Sequence, residues 1–73
     1  MDRPPWADPF DNPSQAIDAG YTAGAELRKN GARPEHLAVN IEMSGACLIN
    51  RPLYADWVKG FRAGFLGERK PAA

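Results

Sequence analysis

A five-residue pattern occurs twice in this chain. Gly20-Tyr21-Thr22-Ala23-Gly24 and Gly60-Phe61-Arg62-Ala63-Gly64 both read Gly-aromatic-x-Ala-Gly, forty positions apart. Both copies sit inside stretches with helical apolar spacing. An interior glycine weakens a helix by about 1 kcal/mol against alanine, so two per helix need a compensating contact. Close backbone approach by another helix supplies one. In an apolar span of roughly twenty residues this spacing would mark a membrane helix pair. Arg28, Lys29, Lys59 and Arg62 interrupt the two copies' surroundings and exclude that. The reading is therefore that Gly20, Gly24, Gly60 and Gly64 pack two helices into one antiparallel hairpin. A self-complementary glycine face that makes a homodimer is the alternative.

The flanking residues define those helices. Asn12 suits an N-cap, Pro13 a first helical position, and Gln15 a capping-box partner. Arg28 and Lys29 suit the negative end of the dipole, and Asn30-Gly31 is a stop. These bound a first helix over 13–29, with Ala16, Ile17, Gly20, Tyr21, Ala23, Gly24 and Leu27 on one side. Pro52 opens a last helix over 52–68, where Tyr54, Trp57, Val58, Phe61 and Phe65 form an aromatic face. Between them, residues 34–44 read as a short helix ended by Gly45. They also alternate in twos, so a β-hairpin turning at Ser44-Gly45 stays open. Predicted core residues are Ile17, Tyr21, Leu27, Leu37, Ile41, Leu48, Val58, Phe61 and Phe65.

The predicted fold class is all-α: an extended arm over 1–11, one helical domain over 12–70, and a frayed tail over 71–73. Pro4, Pro5 and Pro9 keep the arm extended. Trp6 and Phe10 in that arm either fold back on the core or dock on a partner. A chain of 73 residues has a thin core, and its single cysteine, Cys47, forms no internal disulfide. Cys47 and His36 are too few for a closed zinc site, so no metal or other cofactor is expected. The opening Met1-Asp2-Arg3-Pro4-Pro5-Trp6 lacks the basic start and apolar run of a secretory signal. The expectation is a cytoplasmic protein with no membrane span.

The net charge is zero but unevenly spread. Residues 1–27 hold five acids and one base; residues 28–73 hold eight bases and four acids. Lys59, Arg62, Arg69 and Lys70, with Arg51, compose a candidate basic face for phosphate contacts. Tyr54 or Trp57 would stack on unpaired bases if exposed.

Gly20-Tyr21-x-Ala23-Gly24 on a first helix and Trp57-x-x-Gly60-Phe61-Arg62 on a last one resemble the ribosome modulation factor family. That resemblance implies two connected helices that bind the small ribosomal subunit and promote ribosome dimers in resting bacterial cells. In this chain the connector is longer and the N-terminal arm is acidic.

Catalysis has little to work with. His36 stands in a first helical turn, and Cys47 lies in the apolar run Ala46-Cys47-Leu48-Ile49, expected to be buried and inert. No P-loop ending follows the glycines. A non-enzymatic protein with no small-molecule substrate is expected. Its partner is the ribosome or ribosomal RNA, reached through the basic face. The alternative is a protein-binding adaptor or inhibitor, phage- or plasmid-borne, acting through Trp6, Phe10, Tyr54 and Trp57 or as a homodimer.

Overall fold

The computed structural model of the protein describes residues 9–72. Three α-helices, α1 (Pro13–Lys29), α2 (Leu37–Ser44) and α3 (Tyr54–Leu66), follow one another, with a 3₁₀ turn over Pro34–His36 leading into α2. Among the described residues there is no strand. The all-α class is as predicted.

Helix α1 has the predicted boundaries, and its ends show why. The Asn12 side chain accepts from the Gln15 amide at 2.9 Å, and the Gln15 side chain accepts from the Asp11 amide at 3.0 Å. The orphan donor of Gln15 in the first turn is thereby satisfied, and the Asp11 amide just before the N-cap with it. At the other end Gly31 takes φ 98°, the Ala32 amide donates to the Leu27 carbonyl and the Gly31 amide to that of Arg28. Helix α3 ends the same way: Gly67 takes φ 72°, and Glu68 donates to Ala63. Such left-handed termini favour glycine. This explains why α3 stops at Leu66 instead of reaching Glu68. Its start also falls later than predicted, at Tyr54. The preceding residues form successive tight turns, with Arg51 donating to Leu48 and Tyr54 to Arg51.

The connector is helical, and Gly45 ends α2. The hairpin alternative fails on packing. Leu37, Ile41 and Leu48, spaced as on a helix face, rest against the core, while Val39 and Met43 stay exposed. A strand would have placed Leu37, Val39, Ile41 and Met43 together on one side.

Helices α1 and α3 meet through the four glycines. A Cβ placed on Gly20 would run into the Trp57 carbonyl, and one on Gly60 into the carbonyl of Ile17. A Cβ on Gly24 would strike the Phe61 carbonyl, and one on Gly64 that of Tyr21. Each glycine therefore faces the carbonyl three residues before the equivalent glycine of the other helix. The contact has a local two-fold relation, and numbering rises along both helices together. The pair is parallel, which corrects the antiparallel hairpin expected from the sequence. A short loop forces neighbouring helices antiparallel. Residues 30–53 are long enough to carry the chain back through α2, so that constraint is absent here. The close approach places each glycine's Cα hydrogens toward a carbonyl, the arrangement in which Cα–H···O contacts recur between helices.

The core grows outward from this seam. Ala16, Ile17, Phe61, Ala63, Phe65 and Trp57 are buried. Along α3, Tyr54, Trp57, Phe61 and Phe65 form a ladder of stacked rings with successive centroids 6.2, 4.9 and 5.7 Å apart. These separations fall in the favourable range for aromatic pairs. Gly45 seats the far end of this ladder, since a Cβ there would approach Trp57 at 2.9 Å and Tyr54 at 3.0 Å. Tyr21, Leu27, Leu37, Ile41, Leu48 and Val58 are only half-buried around it.

Replacing Gly60 by alanine tests the seam because two effects oppose each other. Helix propensity alone would stabilise α3 by about 1 kcal/mol. Overpacking against the Ile17 backbone is expected to win, with a net loss of about 2 kcal/mol. Thermal unfolding followed by circular dichroism should show a melting temperature lower by roughly 10 °C. An unchanged or raised value would mean the helices do not touch there.

Candidate nucleic-acid interface

The outer face of α3 carries the candidate site. Ala55, Val58, Lys59, Arg62 and Ala63 follow one another at helical spacing, so they share one side. After Gly67 the chain reverses and lies alongside. Together the helix and this returning segment enclose a groove of about 430 Å³, lined by Ala55, Val58, Lys59, Arg62 and Ala63 on one side and by Glu68, Arg69 and Pro71 on the other. Its size is within the range of small ligand sites. The floor is apolar, and three cations and one carboxylate stand around it.

Lys59, Arg62 and Arg69 are exposed, and among the described residues none of them forms an ion pair. Their charge is thus not consumed inside the fold. The other two candidates of the basic face lie elsewhere. Lys70 points to α1 and pairs with Asp18 at 2.9 Å. Arg51 is half-buried in the turns before α3 and does not line the groove. The basic face is therefore narrower than the sequence suggested, because Lys70 is drawn to Asp18 on α1 while Arg69 lines the groove.

The aromatic candidates are corrected more severely. Trp57 is only 4% exposed. Its ring is stacked between Tyr54 and Phe61, so it offers no surface to a partner protein or to an RNA base. Tyr54 is half-buried in the same ladder. Phe10 packs against the core, and Trp6 lies outside the described residues. The glycines are likewise spent on the contact within the chain, which leaves no glycine face for a homodimer.

The surface that is both apolar and exposed is one the sequence reading passed over. Val39 is 46%, Met43 74% and Ile49 59% exposed. Cys47 beside them is exposed too, contrary to its expected burial. Its signal in the sequence was the same alternation that suggested a strand. Among the described residues no cluster of His, Cys, Asp and Glu could hold a metal ion. No helix among them is long and apolar enough to cross a membrane.

The returning segment was also invisible. Pro71, assigned to a fraying tail, is half-buried and lines the groove. The Tyr21 hydroxyl donates to the Glu68 carbonyl at 2.8 Å across 47 residues of sequence, a separation at which local patterns carry no information.

Burial of Trp57 has a direct consequence. Trp57→Ala is expected to cost about 3–5 kcal/mol, comparable with the whole stability of a chain this short at the low end of about 0.05–0.15 kcal/mol per residue. Circular dichroism at room temperature should show lost helix; a variant that keeps the wild-type melting temperature would return the ring to the surface. Comparison with protein families, with characterised proteins and with solved structures yields no match for this chain.

Proposed function

We propose that the protein is a small RNA-binding module that associates with the ribosome through ribosomal RNA, using Lys59, Arg62 and Arg69 as phosphate contacts. The observation that carries this reading is the convergence of those three cations, each without an ion-pair partner among the described residues, on a single groove. Phosphate neutralisation dominates the affinity of proteins for nucleic acid, and a fold of neutral total charge can present it only by concentrating cations locally. The resemblance of the two glycine segments to the ribosome modulation factor family supports the same partner. The charged tips of Lys59, Arg62 and Arg69 would lie along one strand's backbone, with sequence playing little part.

A second reading has its own observation. Val39 and Met43 share an exposed face of α2, and Ile49 after it is exposed too, apolar groups suited to a protein-binding adaptor. The exposed Met43 would adapt to a partner's shape. The two readings separate by salt. Three phosphate contacts on a single strand predict affinity falling roughly 20-fold between about 50 and 200 mM salt. Apolar docking predicts little change.

The test is co-sedimentation with ribosomes at low salt, with and without ribonuclease treatment, alongside binding to labelled ribosomal RNA fragments. Wild-type protein should pellet with intact ribosomes. Arg62→Glu should abolish pelleting at moderate salt while keeping the wild-type melting temperature, since Arg62 is exposed. Ribosome-free wild-type protein at low salt eliminates the first reading. Ribonuclease-resistant, salt-tolerant capture that is lost on Met43→Asp would establish the second.

A further inference from the structure

The groove has two walls from distant parts of the chain, and only one of them is a helix. Lys59 and Arg62 stand on α3. Arg69 stands on the segment that reverses after Gly67, and nothing within that segment is regular structure. Two anchors from α1 hold it. The Tyr21 hydroxyl donates to the backbone carbonyl of Glu68 at 2.8 Å, and the Asp18 carboxylate pairs with Lys70 at 2.9 Å. Arg69 lies between the two anchored residues. Lys70 is fastened onto α1, while its neighbours Glu68, Arg69 and Pro71 line the groove.

We propose that the groove is a two-walled clamp for a phosphodiester backbone, and that Tyr21 and Asp18 are positioning residues which hold Arg69 as its second wall. The proposal rests on the RNA-binding reading above and adds to it the device that sets the affinity. A phosphate entering the groove meets Lys59 and Arg62 from α3 and Arg69 from the opposite side. With the segment undocked, the same phosphate meets α3 alone. The two anchors differ in strength. The Asp18–Lys70 pair is about half exposed on both sides, at 54% and 52%, and such pairs contribute little and are screened by salt. The Tyr21 hydroxyl is uncharged and its ring is half-buried, so it holds the segment at any ionic strength. Tyr21 also supplies the carbonyl that Gly64 meets, which ties the anchor to the helix seam.

The experiment is a double-mutant cycle read by fluorescence anisotropy of a labelled oligouridylate at one fixed salt concentration. Arg69→Ala removes the second wall. Tyr21→Phe removes only the anchoring hydroxyl and changes no charge. One hydrogen bond corresponds to about fivefold in affinity, so Tyr21→Phe should weaken binding by about that factor. In the Arg69→Ala background the same substitution should change almost nothing. Equal losses in both backgrounds, or no loss in either, overturn the proposal. If wild-type protein binds neither the oligouridylate nor ribosomes, the RNA-binding reading has failed. The strap itself is then judged by trypsin cleavage after Arg69 in the full chain, since Pro71 blocks cleavage after Lys70. Tyr21→Phe should accelerate that cleavage by about fivefold, and equal cleavage rates would overturn the anchoring.

Discussion

Two backbones in direct contact hold this small fold together. Where α1 crosses α3, no side chain separates the helices; glycine on each meets a carbonyl on the other. A thin core gains disproportionately from such contact. Apolar burial is limited in a chain of this length, and side chains of ordinary size would hold the helix axes 8–10 Å apart. With the spacer removed, the rings of Trp57, Phe61 and Phe65 pack with Ala16 in one core cluster. The same contact dictates the path of the rest. A parallel pair needs its chain carried back from the end of α1 to the start of α3. The connector performs that return, and in doing so lays Leu37, Ile41 and Leu48 over the open side of the ladder.

How much of this was legible depended on range. The ends of α1 could be read because each cap is made by residues within five positions of it, Asn12 with Gln15 at one end and Gly31 with Ala32 at the other. The glycine seam was legible because two interior glycines in each helix demand an explanation and close packing is a sufficient one. The direction of the pair was not legible. Gly-x-x-x-Gly spacing looks the same from either end, and nothing local distinguishes a parallel crossing from an antiparallel one. Retrospectively, the exact repeat of the pattern at a constant offset was a hint, since a parallel two-fold contact sets equivalent residues at equivalent heights. The connector was half legible: its helix was favoured, but Val39 and Met43 fit the strand alternation because both face outward for reasons that only the packing reveals.

The candidate site shows the same division more sharply. Lys59 and Arg62 share a helix face by spacing alone. Arg69 and Lys70 looked interchangeable in sequence, yet they serve opposite ends, one lining the groove and the other closing an ion pair with Asp18. That pair also changes the meaning of the charge asymmetry. One acid of the first half and one base of the second thereby neutralise each other at the surface. Around the groove, Lys59, Arg62 and Arg69 form no ion pair among the described residues, and Glu68 is the one carboxylate beside them. Trp57 failed as a partner-binding residue for a reason of supply. The described core contains few large side chains, so a domain this small keeps an indole ring for itself when one is available.

Helix α3 therefore carries two loads on opposite sides. Gly60, Phe61, Gly64 and Phe65 face the partner helix and the core, and Lys59 and Arg62 face the groove. One turn separates residues that stabilise the fold from residues that contact solvent, so their substitutions separate as well. Changes on the inner side act on everything at once, because the groove exists only while α1 and α3 remain in contact. Changes on the outer side alter charge without disturbing the seam. The returning segment joins these two regimes. It reaches the groove from outside, but its anchor, Tyr21, lies within the repeated pentapeptide that forms the seam. A weakening of the helix contact would thus loosen the second wall together with the seam.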